Sequence, residues 1–274
     1  MLKITAIVVV LCGLLLTPTF ADQQVRDMHD QLMKTVVRVS TEGGTGSGTV
    51  IYCDDRDEAG KFETYVLTNY HVISDAINFE ERWDSNSKSM KKIQELDRVE
   101  VEIFLYNNEG TAQGQNVFQA DIIAYDEKGD IAILKLYTTR SITADARVAP
   151  LLPEGARLQV FQVVYNVGCS LAHEPIPTKG MITDTDDTID NRRYVMTNAD
   201  IIFGNSGGAC FVQHNGVWHL AGIPARGRVA QGNMVTHMNW IVPIERIRDF
   251  IIKEELTFLL NRKVTPKKSK GVIL

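Results

Sequence analysis

Ser206 lies in the stretch Phe203-Gly204-Asn205-Ser206-Gly207-Gly208-Ala209, and a serine flanked by glycines on a tight turn presents a hydroxyl with little around it. Two further motifs stand upstream: Val66-Leu67-Thr68-Asn69-Tyr70-His71-Val72-Ile73 and Gly129-Asp130-Ile131-Ala132-Ile133-Leu134-Lys135-Leu136. Hydrolysis of a peptide bond by serine requires a base of near-neutral pKa to take the hydroxyl proton and a buried anion to hold that base in one tautomer. His71, Asp130 and Ser206 supply these types in that chain order. Each alone has an ordinary reading, as surface histidine, turn aspartate or loop serine; it is the coincidence of all three contexts that points to a nucleophilic hydrolase. The negative oxygen formed during such attack must meet preorganised donors. The backbone N–H groups of Gly204 and Ser206 are the natural pair, because glycine at 204 lets a peptide turn inward without a Cβ clash. The chemistry calls for neither cofactor nor metal. His214 and His219 flank Asn215-Gly216, but two ligands without a third read as hairpin surface rather than a metal site.

The elements that must position these residues read as strands. Val36–Val39, Gly48–Tyr52, Tyr65–Thr68, Val99–Tyr106, Phe118–Tyr125 and Ile131–Tyr137 are short and rich in β-branched and aromatic residues, with glycine or charged clusters between them. A second series runs from Arg157–Tyr165 through Lys179–Thr183, Tyr194–Thr197, Ala209–Gln213 and Val217–Ile223 to Thr236–Val242, with Asn215-Gly216 marking a type I′ hairpin. Beyond Pro243 the period changes: Ile247, Phe250, Ile251 and Leu256 fall at helical spacing. The pattern predicts an all-β fold of two six-stranded antiparallel barrels with the site in the crevice, closed by a C-terminal helix. Asp22–Lys34 reads as a short polar helix or extended lead-in, and the charged stretch Asn78–Asp97 as a solvated surface loop with one helical segment.

With 274 residues, 44% of them hydrophobic and 23% charged, the chain can bury one sizeable core, and its net charge of −5 argues against nucleic acid as the main partner. Met1-Leu2-Lys3, the apolar run Ile4–Leu16 and the close at Ala21 have the three parts of a secretory leader, cleaved after Ala21; the run is short of the ~20 residues a spanning anchor needs. The organisation expected is a leader over 1–21, a first barrel over 22–149 with His71 and Asp130, a second over 150–262 with Ser206 and the helix, and a loose tail over 263–274. Export to the periplasm or the medium follows from the leader. Cys53, Cys169 and Cys210 then allow at most one internal disulfide, or serve as small buried apolar residues.

The three motifs resemble those of trypsin-like serine proteases, specifically the HtrA (DegP-like) branch, whose patterns read LTNxHV, DIAxLK and GNSGG. The resemblance runs from Gly44-Thr45-Gly46-Ser47-Gly48 to Val242-Pro243 and includes Thr178–Thr183. It implies a serine endopeptidase acting on unfolded or extended polypeptides, with His71 as base, Asp130 orienting it and Ser206 attacking. A catalytically silent relative acting as a binding module is the alternative. Phe203 and Ala209 stand where the family usually has proline, and the chain leaves no room for the branch's peptide-binding PDZ domain, so neither PDZ-mediated partners nor the family trimer carry over; the oligomeric state is left open. Asn205 replaces the aspartate that pairs with a new N-terminus in trypsin-type enzymes, so activation by propeptide removal is not expected. Asp200, six residues before Ser206, matches the pocket floor that selects basic residues in trypsin-like enzymes, with Gly222 and Ile223 on the strand beside the substrate. The other reading has Asp200 paired with Arg226 or Arg228 and the pocket suited to small aliphatic residues.

Overall fold

A computed structural model describes residues 20–54 and 62–260, with side chains from residue 23 onward. The predicted leader over 1–21 lies outside them except where the first helix begins, and the predicted tail over 263–274 lies outside entirely. Helix α1 (Phe20–Leu32) leads into the first barrel, so the Asp22–Lys34 segment is helical rather than extended until its last residues. The barrel is built from β1 (Val36–Ser40), β2 (Thr45–Asp54), β3 (Phe62–Thr68), β6 (Val99–Tyr106), β7 (Ala112–Asp126) and β8 (Ile131–Thr138), and closes in the order β1-β2-β3-β8-β7-β6. The short helix α2 (Tyr70–Ile73) and the hairpin β4 (Ile77–Asp84) and β5 (Ser89–Leu96) come between β3 and β6. The second barrel, β9 (Val163–Gly168), β10 (Ile176–Ile189), β11 (Arg192–Thr197), β12 (Ala209–His214), β13 (Val217–Ala230) and β14 (Asn233–Pro243), closes in the order β10-β11-β14-β13-β12-β9. Helix α3 (Ile244–Lys253) follows with Pro243 as its N-cap and turns Ile244, Ile247, Phe250 and Ile251 into the core. Two closed barrels leave no sheet edges to cap. Asn215 and Gly216 both have positive φ, +50° and +78°, as the type I′ turn requires.

Two elements differ from the sequence reading. Asn78–Asp97 is a two-stranded sheet, not a loop with a helical segment. Ile77, Phe79 and Trp83 face Leu96, Gln94 and Met90, while Arg82 binds Glu80 and Glu95, and Lys91 binds Asp84. The strand alternation was present but carried by a charged background that reads as solvated chain. The strand placed at Arg157–Tyr165 starts only at Val163, because Gln159–Gln162 form a turn with Phe161 at φ +71°.

Strand register explains how distant motifs meet. In the antiparallel pair β3–β8, Thr68 lies opposite Ala132. His71, just past the end of β3, and Asp130, just before β8, therefore emerge side by side at one end of the first barrel. The second barrel meets the first through the same region: Ser47 on β2 donates from its N–H to the Ser206 carbonyl at 2.8 Å and from its Oγ to the Gly204 carbonyl at 2.6 Å. At Gly207, with φ +82°, the barrels approach tightly; a Cβ there would collide with the Ser47 carbonyl and Thr68 Oγ1. Among the described residues no helix is long and apolar enough to cross a membrane.

Candidate active site

His71 Nδ1 lies 2.9 and 3.0 Å from the two carboxylate oxygens of Asp130, and the His71 N–H donates to Asp130 Oδ1 at 3.1 Å. With its Nδ1 as donor to a carboxylate, the imidazole keeps Nε2 as its available basic nitrogen. The Asp130 side chain is 11% exposed and that of His71 47%, so the anion is shielded while the ring opens to the cleft. Asp130 takes a left-handed φ of +56°, a conformation that aspartate tolerates better than most residues. Three contacts hold it there. Asn69 Nδ2 donates to the Asp130 carbonyl at 2.7 Å, Gly129 N–H to Asp126 Oδ1 at 2.8 Å, and Arg246 Nη2 from α3 to the Gly129 carbonyl at 2.7 Å.

Ser206 faces the same cleft, a volume of about 710 Å³ whose lining includes His71, Asp130 and Ser206. No hydrogen bond joins Ser206 Oγ to His71, a common looseness in sites without substrate. The loop before it is held from outside. Leu171 N–H donates to the Phe203 carbonyl at 2.8 Å. In a trans peptide the N–H points opposite the C=O, so this bond turns the Gly204 N–H away from the Leu171 segment. Among the described residues the N–H groups of Gly204 and Ser206 meet no acceptor. Gly204 has φ +94°, and a Cβ there would collide with the Cys169 carbonyl, so only glycine fits. Ser47 Oγ locks both segments: it donates to the Gly204 carbonyl at 2.6 Å and accepts from Cys169 N–H at 2.7 Å. Leu171 and Ala172 sit at φ +50° and +62°, held by Arg38 Nη1 donating to the Ala172 carbonyl at 2.5 Å and by Ser170 Oγ donating to Asn205 Oδ1 at 2.7 Å. Asn205 is thus buried against Ser170, a neutral partner.

The pocket residues read from sequence are placed elsewhere. Asp200 is exposed, with its carbonyl taken by Thr178 Oγ1 at 2.7 Å, and it is not part of the cleft wall; Gly222 and Ile223 are buried within the second barrel. Neither does Asp200 pair with Arg226, whose guanidinium binds Asp190 at 3.2 Å. The reason lies in where β13 passes the Ser206 turn. Gly207 N–H donates to the Pro224 carbonyl at 3.0 Å, so the residues after Pro224 reach the cleft and those before it stay inside. The wall on the second-barrel side includes Ile201, Ala225, Arg226, Gly227, Val229 and Met234, with Phe203 at the rim, 71% exposed, while Glu127 lines the cleft from the first barrel. The remaining candidates lie away from the cleft. Cys169 and Cys210 carry free thiols, burial pushing Cys169 up to about 12 and Cys210 up likewise, which leaves both protonated and inert. The rings of His214 and His219 are 5.9 Å apart on their hairpin, and among the described residues no three metal-ligating side chains converge.

The sequence motif Gly44–Gly48 was visible, but not that its Ser47 would tie the Ser206 loop. Leu171 and Arg246 gave no signal of their own, since each acts through a backbone carbonyl distant in sequence, and Asn69, although part of the His71 motif, was not read as a residue that holds Asp130.

Comparison with known proteins agrees with this architecture. Residues 46–223 match the family model described as a trypsin-like peptidase domain. The chain is 25% identical over 190 residues to the serine endoprotease DegS of Haemophilus influenzae, covering 69% of this chain and 46% of that protein. It therefore spans less than half the length of that curated relative. Among solved structures, the serine endoprotease from Yersinia pestis superposes with a TM-score of 0.55 at 21% identity, covering 87% of this chain and 67% of that one. Deg5 superposes with a TM-score of 0.54 at 23% identity, covering 84% and 93%. These likenesses agree in fold with the double barrel described above.

Proposed function

The chain belongs to the trypsin-like peptidase family, and on that premise we propose that it is an HtrA-like serine endopeptidase whose His71, Asp130 and Ser206 cleave extended polypeptides outside the cytoplasm. The observation that carries this reading is the His71–Asp130 hydrogen bond opening onto the cleft that also holds Ser206. In the proposed reaction Ser206 Oγ attacks the scissile carbonyl carbon and its proton passes to His71 Nε2. The C–N bond then breaks as His71 returns that proton to the leaving amine. Water, activated by the same imidazole, releases the acyl group. Asp130 keeps the imidazole in one tautomer and steadies its cationic form. The N–H groups of Gly204 and Ser206 stabilise the oxyanion; loss of one such donor typically costs ~100- to 1,000-fold in turnover. The apolar leader-like run at residues 4–16 supports export, and the net charge of −5 supports protein rather than nucleic-acid substrates.

The absence of a Ser206–His71 hydrogen bond favours one other reading, a silent double barrel that binds polypeptides without cutting them. Digestion of casein by the wild type and by Ser206→Ala separates the two. Cleavage by the wild type alone is expected; equal inertness of both folded proteins, together with no labelling by a serine-directed organophosphate, would refute the endopeptidase.

A further inference from the structure

Behind the wall of the cleft lies a polar group that the proposed reaction does not use. Asn239 on β14 is fully buried and stands in register with Thr197 on one side and Gly227 on the other. Its Nδ2 donates to the Ala199 carbonyl at 3.1 Å and to the Thr236 carbonyl. Two carbonyl acceptors on one side fix the amide orientation, so Oδ1 faces the opposite way. That oxygen has no hydrogen-bond partner. A Cβ placed on Gly227 would stand 3.1 Å from Asn239 Oδ1, 3.6 Å from the Ile201 carbonyl and 2.6 Å from Met234 Cε. Gly227, Ile201 and Met234 all line the cleft. The orphan acceptor therefore sits where the wall has no side chain, covered by the mobile end of a methionine, a residue that repacks readily around a ligand.

Resting on the endopeptidase reading above, we propose that Asn239 Oδ1 is the specificity-determining acceptor for the residue preceding the scissile bond, and that it selects an uncharged side chain whose tip donates a hydrogen bond, a hydroxyl or carboxamide. The apolar walls, Ile201, Ala225, Val229 and Met234, accommodate the stem of such a side chain. An aliphatic side chain of the same shape fills the space but leaves the buried oxygen unpaired, which is the situation that gives strong discrimination between isosteres. The carboxylates that line the cleft, Glu127 and Asp130, belong to the first barrel, and Asp200 is exposed elsewhere; beside Asn239 the wall presents the guanidinium of Arg226, paired with Asp190, so a cationic side chain has no acceptor there other than the neutral amide oxygen. Gly227 is the aperture: it is the wall residue whose missing side chain lets a ligand atom approach Asn239.

The test reads binding apart from turnover. Acetylated peptides ending in a free carboxylate, alike except for a terminal Thr, Val or Lys, are titrated calorimetrically into Ser206→Ala; the carboxylate faces the Gly204 and residue 206 N–H groups and fixes the register. Thr should bind about tenfold tighter than its isostere Val, with Lys weaker than either. Adding Gly227→Ala, which places a methyl against Asn239 Oδ1 and displaces only the end of Met234, should bring the Thr-to-Val ratio to about one. Equal affinities in Ser206→Ala, a ratio untouched by Gly227→Ala, or no binding by any peptide to the folded protein would each overturn the proposal. Hydrolysis of the corresponding peptide amides by the wild type is scored separately: a preserved ratio without hydrolysis refutes the endopeptidase and leaves the subsite standing.

Discussion

On the first barrel, His71 and Asp130 are joined directly, side chain to side chain, at the ends of two strands that are already paired. On the second, Ser206 is held by backbone contacts from segments far away in the chain: Ser47 Oγ on the Gly204 carbonyl, 157 residues apart, Leu171 N–H on the Phe203 carbonyl, and Pro224 on Gly207. The proposed base is thus positioned by strand register inside one barrel, whereas the proposed nucleophile, Ser206, and its donors depend on how the two barrels dock. The strain follows the same division. Asp130 alone is left-handed in its turn and is of a type that tolerates it, while Leu171 and Ala172 are not. A residue pair held in αL without glycine persists only where its surroundings over-determine it, here Arg38 and Ser170. Damage to the first half should therefore remain local and chemical, and damage to the second should spread through the loop.

The largest expected effect tests the first half. Asp130→Asn keeps the shape but offers an N–H where His71 Nδ1 needs an acceptor, so the imidazole adopts the wrong tautomer; kcat should fall by ~10,000-fold with the circular dichroism and melting curve little changed. A loss below tenfold would mean that His71 is oriented by something other than this pair. Next comes the second half. Gly204→Ala sets a Cβ against the Cys169 carbonyl in a backbone region closed to alanine, which forces the Phe203–Gly204 peptide to rotate and lose its bond to Leu171. Turnover should fall ~100- to 1,000-fold, and the His71 Nδ1 proton resonance should persist, since its partner is on the other barrel. Disappearance of that resonance would show the two halves to be coupled more tightly than the contacts suggest.

How far the sequence could be read follows the same divide. His71, Asp130 and Ser206 stand in stretches whose local pattern carries the information, and the barrel strands announce themselves through β-branched and aromatic residues. The hairpin at Ile77–Leu96 escaped because its alternating Phe79, Trp83 and Met90 lie among charges that pair on the opposite face. The specificity wall escaped for a different reason. Spacing from Ser206 pointed to Asp200 and to Gly222 and Ile223, but which residues of β13 reach the cleft is decided by the Gly207–Pro224 contact, and no local pattern encodes a contact between two loops. Asn239 is the extreme case: its role depends on the orientation of one buried amide relative to a glycine on the neighbouring strand.

Arg246 gives the smallest and most discriminating test, because it lies on the helix after the second barrel and yet touches both halves. From α3 its Nη2 donates to the Gly129 carbonyl at 2.7 Å, its Nη1 to the Arg193 carbonyl at 3.1 Å, and its guanidinium stacks 4.8 Å from the Tyr194 ring. It is therefore a positioning residue that ties the turn before Asp130 to β11 of the second barrel, without lining the cleft. Arg246→Met keeps the aliphatic stem and removes both donors, and charged hydrogen bonds of this kind contribute ~1.5–3 kcal/mol each, discounted here for the partial exposure of the group. Stability should fall by about 1–2 kcal/mol. The informative quantity is the split of the kinetic constants: kcat should drop roughly tenfold as the Asp130 turn loosens, with KM unchanged, because uniform substrate binding does not involve α3. If stability falls while kcat holds, Asn69 and Asp126 alone are enough to fix Asp130, and the first half is as self-contained as its strand register suggests. If KM rises instead, the strut acts through Tyr194 on Arg226, 5.4 Å from the same ring, and the C-terminal helix bears on the substrate wall rather than on the base.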